Sequence, residues 1–285
     1  MPRIENYLKP SVNQIRHSIK GIDDSYNNTW DIIAELAQNS VDAIRKKDDV
    51  DGQIELIIDS VKRSIRIIDN GIGINPDELP MLLKPFSTNK TNDSTLIGEK
   101  GVGLKYVIFQ SNEFEIISGN SNGCSVATIS NARHWKNQTD ENLLPLEHEI
   151  LDREFYGTDV LVSDIENDIL FNLNLEQMIF TLRTHTAIGN TSSLWDPYFN
   201  IEVTLKHVDI NGQESTIKVP FSYQLPIESL PNNSKIDLDQ FVEWTQSQDR
   251  TDEQKMKKLR DKVIYKKGNY IHQNNRILNY FAIFV

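Results

Sequence analysis

Three polar side chains within Trp30 to Ile44 (WDIIAELAQNSVDAI) have the types and spacing to act on a bound ligand. Glu35, Asn39 and Asp42 stand at i, i+4 and i+7, so at a period of 3.6 residues they share one helical face. Ile33, Ala37, Val41 and Ile44 fall on the opposite side, an apolar stripe of the kind that packs against a sheet. Two later stretches add complementary groups. Ile67 to Gly73 (IIDNGIG) reads as a strand that stops on an acid, leaving Asp69 at its tip ahead of Gly71 and Gly73. Gly98 to Lys105 (GEKGVGLK) is a glycine-rich loop running into Leu104, Tyr106, Val107 and Ile108, the first turns of a helix. Backbone N–H groups at such a junction favour anions, phosphates above all. A DNG turn or a G-x-x-G-x-G loop is common on its own, so the information lies in their order and spacing.

That order is E-x-x-x-N-x-x-D-A, then D-x-G-x-G, then G-x-x-G-x-G, all between residues 35 and 105. It resembles the GHKL ATPase superfamily, the group of DNA gyrase, the ninety-kilodalton heat-shock chaperones, the histidine kinases and MutL, with MORC proteins and topoisomerase VI close by. A fourth piece, Tyr156 to Val162 (YGTDVLV), resembles the family's strand that opens with Gly-Thr, and the likeness covers residues 20 to 165. It implies an α+β fold, the two-layer Bergerat sandwich. In that fold a mixed, mostly antiparallel sheet carries helices on one face, followed here by a β-containing extension.

The resemblance also implies roles, residue by residue. Glu35 matches the general base that orients the attacking water, a task suited to a carboxylate. Asn39 matches the ligand of Mg²⁺, a hard cation that takes oxygen donors. Asp42 resembles the neighbour that closes the pocket floor. Asp69 matches the acceptor for the adenine amino group, and Gly71 and Gly73 would let the chain pass close to the base. Thr158 would support the same base through its hydroxyl. Gly98, Gly101 and Gly103 would form the hinge and cradle of an ATP lid over residues 84–103, with N–H groups of Val102, Gly103 and Leu104 on the phosphates and charge from Lys100 and Lys105. Lys90, inside that polar segment, is a further candidate for the terminal phosphate. Histidine kinases of this superfamily typically carry asparagine where this chain has Glu35, and too little chain precedes Glu35 for their histidine-bearing hairpin. The glutamate form belongs with the hydrolysing members.

The elements that must position these groups follow from the rest of the chain. Its 285 residues, 38% of them apolar, provide for one large or two modest domains. The single cysteine, Cys124, excludes an intramolecular disulfide. With no signal peptide and no bilayer-spanning run, the sequence predicts a soluble, cytoplasmic protein. A net charge of −11 opposes contact with nucleic acid unless a local patch such as Lys255 to Lys267 provides it. Histidine and cysteine spacing fits no metal site, and the absence of a Walker motif excludes the P-loop route to ATP.

Alternating apolar residues predict strands over Gln53 to Asp59 and Ser64 to Asp69, and again over Glu113 to Ser118 and Cys124 to Ser130. A variable region over 131–156 separates the second pair from the Gly-Thr strand. Asn27, Asn28 or Thr29 is placed to cap the central helix, and Asn75-Pro76 to start another that runs to Leu83. Leu173 to Ala187 has helical spacing, and Asn211-Gly212 marks a hairpin. These signals divide the chain into an ATP-binding domain over 1–190 and a hairpin, linker and truncated transducer-like domain over 191–285. Asn275-Arg276 loosely resembles that domain's early strand. The functional expectation is Mg²⁺-dependent binding and slow hydrolysis of ATP, driving lid closure and conformational change or homodimerisation in a larger protein. A nucleotide-gated module with little hydrolysis and a DNA-clamping unit are the alternatives. The client is left open between DNA, a protein substrate and a defence-related partner.

Overall fold

The computed structural model describes residues 10–47, 51–84, 102–190 and 199–224. Eight strands form one sheet: β1 Gly52–Asp59, β2 Ser64–Asp69, β3 Ser111–Asn120, β4 Gly123–Ser130, β5 Glu147–Leu151, β6 Gly157–Ile165, β7 Ile201–Val208 and β8 Glu214–Val219. Their order is β5-β4-β3-β6-β2-β1-β7-β8, and every neighbouring pair is antiparallel except β1 with β7. The fold is the α+β, mostly antiparallel arrangement that the sequence implies.

Alternation along the strands separates a buried face from an open one. Ile54, Leu56 and Ile58 of β1, Ile65 and Ile67 of β2, Phe114 and Ile116 of β3, and Val160 and Val162 of β6 point into the core. The open face carries ion pairs between strands. Arg66 grips Asp159 with two hydrogen bonds, Nε to Oδ1 at 2.8 Å and Nη2 to Oδ2 at 2.6 Å, Lys206 pairs with Glu55, and Lys218 lies 2.6 Å from Glu202.

Helix α2, Asp31–Arg45, covers the centre of the sheet with Ile33, Leu36, Ala37, Val41 and Ile44, all buried. Burying a side chain of that size is worth roughly 1.5–3 kcal/mol, so the stripe alone fixes which way the helix faces. Helix α4, Gly103–Gln110, lies beside α2, and α1, Val12–Asp23, packs on α4 and on the short α5, Ala132–Lys136. Arg16 of α1 is buried, with its guanidinium 4.5 Å from the Trp135 ring centre and 2.9 Å from Asp140. The remaining described helices are α3 Leu79–Leu83, α6 Asp168–Phe171 and α7 Leu175–His185.

Several local expectations are corrected. No side chain caps α2 at its N-terminus; Asn28 instead donates its N–H to Asp31 Oδ2 at 2.9 Å. Ser11 and Gln14 build a capping box on α1 that the sequence reading did not single out. Helix α3 starts at Leu79 rather than at Pro76, with Pro80 in its first turn, where a missing N–H costs nothing. The region over 131–156 contains α5 and strand β5. The Asn211-Gly212 hairpin, placed by sequence beyond a boundary at 190, belongs to the same sheet, because β7 pairs with β1 in register Gly52↔Ile201 to Asp59↔Val208. Tyr223 N–H then bonds Asn190 O at 3.0 Å and Arg183 Nε bonds Ser222 O at 3.0 Å, so the compact unit runs through Tyr223.

Candidate functional site

The polar face of α2, the ends of β2 and β6, and the start of α4 enclose a cleft of about 870 Å³. Its wall includes Glu35, Asn39, Asp42, Asp69, Gly73, Val102, Gly103, Leu104, Lys105 and Thr158. The helix, strand-tip, glycine and Gly-Thr motifs therefore meet in one concavity. Gly98, Lys100, Gly101 and Lys90 lie outside the described residues, as do Lys255 to Lys267 and Asn275-Arg276.

Asp69 is the deep acid. Its carboxylate accepts from Ser40 Oγ at 2.9 Å and from the Gly71 N–H at 2.9 Å, and the Thr158 N–H bonds it as well. Burial pushes its pKa up to about 6, against the lowering effect of those three donors. Gly71 thus stands next to the acid as one of its donors. Gly73 does reach the wall, at φ +64, where a Cβ would collide with the Gly119 carbonyl.

Behind Thr158 stands Ser118, fully buried on β3. Its Oγ accepts from the Ile74 N–H at 2.9 Å, donates to the Gly157 carbonyl at 2.9 Å, and lies 3.0 Å from Thr158 Oγ1.

At the other end, Glu35 meets α4. Tyr26 donates its hydroxyl to Glu35 Oε1 at 2.8 Å, and the Tyr26 ring stacks on Tyr106 of α4 with centroids 3.8 Å apart and planes 15° from parallel. Burial first, then the Glu35 carboxylate, pushes the Tyr26 phenol well above its ordinary pKa, so it stays a donor. A Cβ built on Gly103 would overlap Glu35 Oε2, so the glycine-rich motif is what lets the head of α4 close onto the carboxylate. The first N–H groups of a helix have no partner within it, and Gly103 and Leu104, the first two residues of α4, line the cleft. Lys105 is buried there, 3% exposed, rather than solvated as lysines usually are.

The sequence reading did not single out Tyr26, Ser40 or Ser118 for function. It took Asn120 to Asn122, which also line the cleft, only as a turn. An i+5 offset from Glu35 to Ser40 is on no shared helical face with it, and a lone serine or tyrosine gives no periodic signal.

Comparison with known proteins agrees with this geometry. Residues 26–164 match the family model described as histidine kinase-, DNA gyrase B- and HSP90-like ATPase. The chain carries a GHKL ATPase domain. Similar curated proteins are chaperone protein HtpG of Francisella tularensis subsp. tularensis, 23% identical over 66% of this chain and 36% of the relative, and that of Sulfurimonas denitrificans, 25% identical over 64% and 31%. The HtpG of Campylobacter jejuni is 27% identical over 61% of this chain and 33% of its own length. The chain thus spans about a third of the relatives it matches. No described helix is long and apolar enough to cross a membrane.

Proposed function

We propose that the cleft binds ATP with Mg²⁺ and that Glu35 directs its slow hydrolysis. The observation that carries this reading is the convergence of Asp69, Asn39, Glu35 and the head of α4 on one concavity sized for a nucleotide. Asp69 and Thr158 take the adenine amino group at the deep end, and Gly73 leaves room for the base. Asp42 closes the floor. The N–H groups of Val102, Gly103 and Leu104 hold the phosphates, with Lys105 adding charge.

Among the described residues no group of three His, Cys, Asp or Glu side chains is placed to hold a metal ion. A cation here would draw its oxygens from Asn39, water and the ligand's phosphates, which suits Mg²⁺. Bound, it would neutralise charge on the phosphate oxygens. Glu35, held by Tyr26 and facing Gly103, orients water and accepts its proton on the phosphate side. Hydrolysis of this type resets a conformation, so we infer slow turnover coupled to lid closure and homodimerisation in a larger, cytoplasmic protein. The test is paired calorimetry and phosphate release: Glu35→Ala retains ATP binding and loses hydrolysis, and full activity in that variant overturns the assignment.

A second reading is a nucleotide-gated module that binds ATP and hydrolyses little. ATP binding without phosphate release, restored by a longer polypeptide, distinguishes it. The net charge of −11 weighs against the DNA-clamping alternative.

A further inference from the structure

Proton bookkeeping around Ser118 fixes the polarity of the deep end of the cleft. A serine hydroxyl has one proton to give and two lone pairs to receive with. Ser118 Oγ has three partners, and two have a fixed sense: the Ile74 N–H at 2.9 Å only donates, and the Gly157 carbonyl at 2.9 Å only accepts. Were the Ser118 proton turned elsewhere, two oxygens 2.9 Å apart would face each other without a hydrogen between them. The Ser118 proton is therefore committed to Gly157, and the 3.0 Å contact with Thr158 Oγ1 has Thr158 as donor. The hydroxyl of Thr158, a residue of the cleft wall, then has only lone pairs left to offer. Asp69, whose carboxylate takes its donors from Ser40, Gly71 and the Thr158 N–H, also shows the cleft only an acceptor when ionised.

We propose that Ser118 is a specificity-determining residue: by holding the Thr158 proton it makes the deep wall acceptor-only, so the cleft selects a purine with an exocyclic amine over one with an exocyclic carbonyl. Ser118 acts through Thr158 and touches no ligand itself. The inference rests on the reading of the cleft as an ATP site, and the experiment separates the two.

Equilibrium titrations of the 285-residue chain with ATP and with inosine triphosphate, which carries a carbonyl at the same ring position, give an affinity ratio. In Ser118→Ala the Thr158 proton is free to turn toward the cleft, and the ratio narrows by about tenfold, the effect of reversing one hydrogen bond. Ser118→Thr keeps the hydroxyl and the ratio. Thr158→Val, which deletes the acceptor without disturbing Ser118's bonds to Ile74 and Gly157, weakens ATP several-fold more than inosine triphosphate, and this arm stands if Ser118→Ala does not fold. A ratio unchanged within twofold in folded Ser118→Ala, or equal losses for both nucleotides in Thr158→Val, overturns the proposal. Failure of the unmodified chain to bind either nucleotide would instead overturn the ATP reading beneath it.

Discussion

The Tyr26 hydroxyl donates to Glu35 Oε1 across 2.8 Å while its ring lies flat on Tyr106. One residue thus ties the expected base to the helix that starts at Gly103. Tyr26→Phe keeps the stack and removes the donor. Phosphate release is expected to slow about tenfold, with ATP affinity held within about twofold, since the hydrogen bond lost is one that orients the carboxylate. Loss of affinity and rate together would make Tyr26 a binding residue instead.

Asp69→Asn should separate stability from binding. The folded pKa of Asp69, about 6, lies above its ordinary value of 3.8. The folded state therefore holds this proton more tightly than the unfolded chain, which favours folding below pH 4 and is lost as pH rises through 6. At pH 7 the buried carboxylate opposes folding, and the neutral amide should recover about 1–3 kcal/mol. A raised melting temperature in the ligand-free protein, alongside loss of measurable ATP binding, is the expected pair of results. A lowered one would mean that the three donors around the carboxylate outweigh its burial.

The same acid sets the pH dependence of binding. An amino donor needs the ionised carboxylate, so protonation of Asp69 competes with the nucleotide. With Mg²⁺ saturating, the association constant should fall about tenfold between pH 7.5 and pH 5, the effect of one proton taken up around pH 6. A flat calorimetric profile over that range would remove Asp69 from the ligand contacts.

Gly103→Ala should act on Glu35 directly. The added methyl would occupy the space of Oε2, so either the carboxylate swings away or the head of α4 retreats. We expect hydrolysis to fall at least tenfold and unfolding free energy to drop by about 1–3 kcal/mol, the usual cost of forcing atoms into a packed site. Hydrolysis at the unmodified rate would show that the ligand-bound helix stands further off.

Metal dependence offers a last check. Asn39→Ala should raise the Mg²⁺ concentration needed for half-maximal activity several-fold, because one protein oxygen is lost while phosphate and water oxygens remain. An unchanged requirement would place the cation elsewhere.

Much of the fold was legible because it repeats at short range. The stripe Ile33, Ala37, Val41, Ile44 specifies the buried face of α2, and alternation in Ile54, Leu56, Ile58 specifies β1. Strand β5 was missed because Glu147 to Ile150 are all exposed, so its outermost position imposes no alternation. The β1–β7 pairing was missed because register between distant segments leaves no local trace. Among the site residues, those on a shared helix face or beside glycines announced themselves. Tyr26 and Ser118 did not, since each acts through a single hydroxyl brought in by tertiary packing.

The parallel pairing of β1 with β7 bears on how the molecule comes to exist at all. Every motif named above on the cleft wall has been synthesised by Thr158, yet β1 then still lacks its second neighbour. A polypeptide stopped after Ile165 would leave a row of unpaired amides along a strand rich in isoleucine, an invitation to aggregation with its own kind. Completion of the sheet that carries the cleft is therefore expected to wait on β7, none of whose residues lines it.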